Sequence, residues 1–389
     1  MDFNFFSPIN VKSGKDCVRE NSALLRSFGD RCIIVTGSTS AKKCGALDDA
    51  ADALTKEGIS FTVYDKITEN PRIDHCHEAG KLARDFGAHF VIGIGGGSPL
   101  DAAKAVAVYA ANPDFAPLDI YSPDHQKALP IVAIGTTAGT GSEVGRVSVL
   151  TNPDTGRKKS ISPNDCYPSL TFADPKYTYS MPYSVTVSTA LDALSHVLEG
   201  YMSVKCGDLP TLFGEKAISL IWEGLSFLHK EKTVPDGALR EKLYYGSLYA
   251  GITLAYCGTA FPHPMGYILT ENYGIPHGKA CTAFMGEFID RAALFTPEKA
   301  EKALSIMGTD IDAFKKVIAE LTDLPEITMT EEEIEKYCER FDTAPANFKF
   351  SPGSFTKEDA VRVFNAQFAI RRTSPSPFGC HLSFQERQD

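Results

Sequence analysis

No stretch of the chain approaches the roughly eighteen consecutive apolar residues that a membrane-spanning helix needs. The opening MDFNFFSPIN lacks a basic segment followed by an apolar run, so no secretory signal is expected. The ten cysteines include no CxxC pair and no regular lattice. In a chain of this length they read as reduced, mostly buried thiols of a cytoplasmic protein and not as a disulfide framework. Positive charge is also in deficit: 39 Lys and Arg against 49 Asp and Glu leave a formal charge of −10. That balance argues against a nucleic-acid partner, whose phosphates need clustered cations, but it leaves room for an anionic cofactor in a local pocket. No internal repeat is visible, and 31 Gly with 23 Pro fit neither collagen nor disorder.

A chain of 389 residues favours two domains over one. Short apolar runs stand at 31–37, 59–65, 89–96, 129–135, 146–152 and 168–174. Segments of helical period such as ALDDAADALTKEG and HEAGKLARDFG separate the first three, which predicts parallel strands covered by helices. From residue 184 the period changes, and 184–204, 209–229, 235–256, 278–292, 297–307, 310–323 and 330–340 read as helices. The boundary falls near Tyr183, after Pro175 and Pro182, giving an α/β domain over 1–183 and a helical one over 184–389. The Ser/Pro-rich end, from about 371, is expected to be an irregular tail.

Chemistry concentrates in a few places. HFVIGIGGGSPLDAAKAV runs from a strand into Gly95, Gly96 and Gly97, then into a helix. Ser98 is placed to cap that helix, with Pro99 at its start and Asp101 in its first turn, and such an N-terminus attracts anions. A tight turn without a ligand is the alternative. TTAGTGSE (136–143) also follows a strand, and two such loops suit a dinucleotide lying across strand ends, with Thr137, Thr140 and Ser142 as hydroxyl donors. At the end of the first strand, VTGSTSAKK offers Gly37, Ser38, Thr39 and Ser40, backed by Lys42 and Lys43. An acid at this position normally holds the adenosine ribose, so its absence favours NADP over NAD. The lysines read equally well as a solvated helix start. Asp192 and His196 share a helix face at i, i+4; with His263 and His277 they form a plausible ligand set for Fe2+ or Zn2+, although each residue alone fits packing or capping.

GGGSPLDAAKA (95–105), TTAGTGSE, the DALSH…EGY stretch (192–201) and the GxxxxH…GIPHG segment (258–278) together resemble the iron-containing, group III alcohol dehydrogenase family over residues 1–365. The resemblance implies a dehydroquinate synthase-like two-domain architecture: a Rossmann-like dinucleotide-binding α/β domain, then an all-helical one, with metal and nicotinamide meeting in the cleft. It implies Asp192, His196, His263 and His277 as metal ligands. Gly95, Gly96, Gly97, Ser98 and Asp101 fall around the pyrophosphate, and Thr136, Thr137, Thr140 and Lys159 elsewhere around the cofactor. The stretch from Gly37 through Ser38 to Ser40 looks like that of NADP-preferring members. The activity implied is hydride exchange between NAD(P)(H) and a small primary alcohol or aldehyde, by a cytoplasmic homodimer with no nucleic-acid or membrane partner.

Alternatives within the superfamily are a polyol dehydrogenase, a maleylacetate-type reductase and, more remotely, a lyase; a nucleotide-binding protein without catalysis lies outside it. In one departure, many members carry HxxxHPxG, and here Tyr267 occupies the position of the second histidine, as a packing residue or a phenol donor. The other departure is the C-terminal tail. Phe261, Met265, Tyr267 and Ile268 suggest room for a small apolar substrate, or core packing.

Overall fold

The computed structural model describes residues 5–122 and 127–370; the tail expected from about 371 lies outside the described residues. The strands are β1 (Asn10–Ser13), β2 (Arg31–Thr36), β3 (Ser60–Tyr64), β4 (Phe90–Gly95), β5 (Ile131–Gly135), β6 (Ser148–Thr151), β7 (Lys158–Ile161) and β8 (Leu170–Ala173). Six form one sheet in the order β1-β8-β5-β4-β2-β3, and every pairing in it is parallel.

The helices interleaved with this sheet are α1 (Cys17–Glu20), α2 (Ser40–Lys43), α3 (Ala46–Lys56), α4 (Ile73–Phe86) and α5 (Gly97–Ala111). Strand alternation sends Ile34, Ile92 and Ile94 to one face, against Ala50, Ala53 and Leu54 of α3. It sends Ile33, Val35 and Val91 to the other, against Ala79 and Ala83 of α4 and Ala102 and Val106 of α5. With both faces covered, β4 is buried along its whole length, which is why FVIGIG carries no polar side chain. Gly93 serves packing here: a Cβ would come within 2.7 Å of the Ala103 methyl on α5.

Two expectations about strands need correction. The run at 146–152 does not extend the sheet; β6 pairs antiparallel with β7 in a separate ribbon. The sequences of β7 (KKSI) and β1 (NVKS) are too polar to have been read as strands, and β1 lies at a sheet edge with one flank unpaired.

Helices dominate from Tyr183. They are α6 (Tyr183–Tyr201), α7 (Asp208–Glu231), α8 (Gly237–Cys257), α9 (Pro262–Tyr273), α10 (His277–Thr282), α11 (Met285–Phe295), α12 (Pro297–Met307), α13 (Ile311–Thr322), α14 (Glu331–Cys338), α15 (Ala346–Phe350) and α16 (Lys357–Phe368). Helix α6 packs on α7, α8 and α10 and is buried through its second half. The helix expected over 278–292 is broken at Ala283 and Phe284 into α10 and α11. Helix α9 was hidden by Pro262 and Pro264, yet both stand in its first turn, where N–H groups have no intrahelical partner to lose.

The change from strands to helices falls at α6, but contacts do not divide the chain there. Residues 5–324 with 344–355 pack as one unit, so the sheet and α6–α13 belong together. Residues 325–343 and 356–370 form a second unit, in which α14 packs on α16. Thr330 with Glu333, and Thr356 with Asp359, cap these two helices reciprocally. No described helix is long and apolar enough to cross a membrane.

Candidate active site

The sheet order places β2 between β3 and β4, so successive strands leave β2 in opposite directions. That switch point opens a crevice at the carboxyl ends of β2 and β4, where ligands of such sheets bind. The glycine turn after β4 lies on one side of it and Gly37 to Ser40 on the other. Gly95 turns with φ 154°, and α5 begins at Gly97 with Gly96 as its N-cap. Contrary to expectation, Ser98 does not cap α5; its Oγ accepts from the Asn70 backbone N–H at 3.2 Å. No side chain caps this fifteen-residue helix, which leaves its first N–H groups open to an anion.

Two of the glycines have a packing reason as well. A Cβ on Gly96 would sit 3.0 Å from Thr137 Oγ1, and one on Gly97 would meet Thr140 Cγ2 at 2.6 Å. The two glycine-laced loops are therefore in direct contact. Asp101 braces them from below: its Oδ1 accepts from Ser142 Oγ at 2.7 Å and its Oδ2 from the Val149 N–H at 2.8 Å. Both oxygens of its carboxylate are thus engaged within the protein, tying α5 to the 136–143 loop and to β6. Buried Lys104 completes the brace, donating to Ser142 Oγ at 2.6 Å, Ser142 O at 3.0 Å and Val147 O at 2.8 Å. Thr136 Oγ1, at the end of β5, is buried without a hydrogen-bond partner. Thr140 Oγ1 accepts from the Ser142 N–H at 3.2 Å.

The same loop reaches the metal-ligand candidates, since Gly139 O lies 3.4 Å from His196 Nδ1. Asp192 and His196 project from the buried half of α6, His263 from the first turn of α9, and His277 opens α10. All four converge. Asp192 Oδ1 lies 3.8 Å from His196 Nε2, 3.9 Å from His263 Nε2 and 3.7 Å from His277 Nε2. Ligands about 2.1 Å from a tetrahedral ion stand roughly 3.4 Å apart, so each of the three nitrogens needs to approach Asp192 Oδ1 by only a few tenths of an ångström. Asp192 Oδ1 and His263 Nε2 are both buried and without a hydrogen-bond partner. A buried carboxylate oxygen and a buried imidazole nitrogen left unpaired 3.9 Å apart are costly unless a proton or a metal cation lies between them, and this chemistry fits a divalent ion.

The charge states suit ligation. Burial alone would raise the Asp192 carboxyl, but His196, His277 and His263 around it hold it below the ordinary carboxylate range. Burial lowers His196 and takes His277 down to about 3, so both imidazoles are neutral and carry a free lone pair. His263 differs: burial opposes it, but Cys281 and Glu199 beside it raise it well above the ordinary imidazole range, so an ion bound at its Nε2 has to replace a proton there. Glu199, fully buried on α6, fixes His263: its Oε1 lies 2.6 Å from His263 Nδ1 and its Oε2 accepts from the Ala260 N–H at 2.7 Å. Ser195 Oγ also donates to this carboxylate. A carboxylate on Nδ1 leaves Nε2 as the lone-pair nitrogen, the usual second layer of a histidine-bound metal.

Tyr267 stacks on His277 with ring centroids 5.6 Å apart, and Lys158 Nζ lies 5.3 Å from the tyrosine ring. Burial pushes the Tyr267 phenol up to about 12, so it keeps its proton near neutral pH. Lys158, not Lys159, therefore faces the site. Adjacent residues of β7 point to opposite sides, and Lys159 is exposed with its Nζ 4.5 Å from the Tyr121 ring. At the other end of the crevice Gly37 is half-buried, Ser38 and Ser40 are exposed, Lys42 is paired with Asp65 at 2.8 Å, and Lys43 is exposed. Phe261, Met265 and Ile268 are fully buried, with Phe261 stacked at 3.9 Å on Phe355, so they build core and not a substrate pocket.

Glu199, Lys158, Lys104 and Cys281 escaped the sequence reading. Glu199 and Cys281 each carried a signal, standing four residues after Ser195 and His277 on the same helix faces.

The chain is similar to known proteins over most of its length. The family model described as iron-containing alcohol dehydrogenase matches residues 8–175, and that of the C-terminal region of the Fe-containing alcohol dehydrogenase family matches 186–368. A long-chain primary alcohol dehydrogenase of Thermoanaerobacter ethanolicus is 31% identical over 380 residues, which cover 96% of this chain and 89% of that protein. An iron-containing alcohol dehydrogenase of Thermotoga maritima, known from a crystal structure, is 34% identical with a TM-score of 0.86, covering 94% of this chain and 99% of that one. The sulfoacetaldehyde reductase of Bifidobacterium kashiwanohense, crystallised in complex with NAD+, is 27% identical with a TM-score of 0.83, covering 94% of this chain and 99% of that one.

Proposed function

The chain belongs to the iron-containing alcohol dehydrogenase family, and from that premise we propose that it exchanges a hydride between NADP(H) and a small primary alcohol or aldehyde at a metal held by Asp192, His196, His263 and His277. The observation that carries this reading is the convergence of three imidazole Nε2 atoms on the partnerless Asp192 Oδ1, beside a loop that packs on the glycine turn.

When bound, a divalent ion supplies Lewis acidity toward a substrate oxygen, and the nicotinamide supplies the hydride. The chain's own work is placement. The first N–H groups of α5 receive the pyrophosphate, while Thr137 and Thr140 lock the two loops that form the crevice floor. Gly139 O and Glu199 aim His196 and His263 by their Nδ1 atoms, so that both Nε2 atoms face Asp192. Tyr267 stacks on His277 and keeps its Oη proton; Lys158 Nζ lies 5.3 Å from the tyrosine ring, with burial lowering its ammonium pKa. The reading extends to a dinucleotide domain and a helical metal domain meeting near Tyr183, and to a homodimer in the cytoplasm.

The preference for NADP(H) rests on the absence of an acid after β2: Gly37 and exposed Ser38 and Ser40 offer nothing that repels a 2′-phosphate. With enzyme reconstituted anaerobically with Fe2+ and butanal as substrate, kcat/KM for NADPH should exceed that for NADH by about tenfold or more, equivalent to about 1.4 kcal/mol. Gly37→Asp should reverse the order. A wild-type preference for NADH would remove the 2′-phosphate reading and leave the metal reading intact. No turnover with either nucleotide, with metal and dinucleotide bound, would exclude the small-aldehyde assignment and point to a polyol or an acidic maleylacetate-like substrate.

A further inference from the structure

One buried donor beside the four has no role so far. Cys281 follows His277 by four residues on α10, so both side chains share a helix face. Its Sγ lies 3.6 Å from Nδ1 and 3.8 Å from Nε2 of His277. More tellingly, Cys281 Sγ, Asp192 Oδ1 and a ring nitrogen each of His263 and His277 all lie within 4.8 Å of one another. His196 stands outside this mutual group of four and reaches it through Asp192 Oδ1 at 3.8 Å.

A fully buried cysteine is commonly just a small apolar filler. Three observations set Cys281 apart. Its neighbours include ligand atoms of Asp192, His263 and His277. Two of those atoms, Asp192 Oδ1 and His263 Nε2, are buried, partnerless and turned into the same space. The backbone is also held in place there: a Cβ on Gly266 of α9 would stand 2.9 Å from both Cys281 Cα and N, so the missing side chain lets α9 clamp Cys281.

We propose that Cys281 is a further donor of this metal centre. The centre then offers five candidate ligands, and the compact group of Asp192, His263, His277 and Cys281 is the one that holds a thiophilic tetrahedral ion such as Zn2+ or Co2+, whereas His196 completes the harder carboxylate–imidazole set for Fe2+. Thiolate favours zinc over iron, and a mixed sulfur, nitrogen and oxygen tetrahedron is an ordinary zinc environment. The inference rests on the metal reading above, because it adds a ligand to that centre.

The test is to load the metal-free full-length protein with Co2+ and record its absorption spectrum, with bound cobalt counted by elemental analysis. The wild type should show visible d–d bands of a tetrahedral ion together with a strong thiolate-to-cobalt charge-transfer band in the near ultraviolet. Cys281→Ser and Cys281→Ala should lose the charge-transfer band while still binding cobalt, and His196→Ala should keep it. Stoichiometric cobalt in the wild type without that band would overturn the Cys281 assignment and leave the four-residue centre standing. Failure of the wild type to bind cobalt at all would overturn both.

Discussion

An Asp192→Ala variant should purify without iron or zinc and reduce butanal at least about a thousandfold more slowly than the wild type. The Lewis-acid contribution of such an ion is several kcal/mol, and about 1.4 kcal/mol corresponds to a factor of ten in rate. Asp192 is the one carboxylate of the four donors, and its Oδ1 is the atom that all three Nε2 atoms approach. Three imidazoles without it supply no negative charge to offset the desolvation of a dication. The fold should persist, because burial keeps His196 and His277 uncharged whether or not the carboxylate is present. Thermal melts separate the two effects. Added metal should raise the wild-type Tm, by linkage worth about 2.7 kcal/mol at a hundredfold excess over Kd, and should leave the variant unmoved. Stoichiometric metal and normal turnover in Asp192→Ala would remove the assignment.

Gly278→Ala should damage the same centre by a different route, through backbone displacement and not through loss of a ligand. Helix α10 lies so close to α6 that a Cβ at position 278 would run into Ser188 O and stand 2.9 Å from both the Asp192 backbone N and its Cβ. Neither neighbour is the free end of a flexible side chain, so α10 has to move, and His277 moves with it. Overpacking of this kind costs about 1–3 kcal/mol of stability. A ligand shifted by about 1 Å costs on the order of a hundredfold in activity. The expected result is a lowered Tm together with weakened metal retention and activity. A variant with wild-type metal content and turnover would show that the α6–α10 contact does not set the ligand geometry. Gly274, where a Cβ meets nothing within 4 Å but φ is 66°, serves as a contrast: its substitution should cost stability with little effect on metal.

Most of what recurs at short range in the chain was legible before the structure. The strand–turn–helix at 90–111 announced itself because a buried parallel strand must be apolar and its turn must lack side chains. Asp192 and His196 showed as a pair because helical spacing is a local property. Their union with His263 and His277 was not, since bringing α6, α9 and α10 together is a matter of tertiary packing; family resemblance supplied that step and the converging nitrogens support it. The error over Lys158 and Lys159 came from missing β7, whose alternation decides which lysine faces Tyr267. Ser98 and Asp101 follow the glycine turn, as the sequence shows, but their side chains bond to Asn70, Ser142 and Val149, partners 28 to 48 residues away that no local pattern reveals. Cys281 was passed over because a lone cysteine in a sequence carries no sign of what it faces.

The most direct test of the metal centre is an anomalous-difference map, collected at the iron absorption edge, from crystals of anaerobically iron-loaded protein. The expected result is a single strong peak bounded by Asp192 Oδ1 and the Nε2 atoms of His196, His263 and His277, at the end of the crevice that opens from β2 and β4. Iron bound stoichiometrically but located elsewhere, with those four atoms still bare, would contradict the assignment of the site and the catalytic reading built on it.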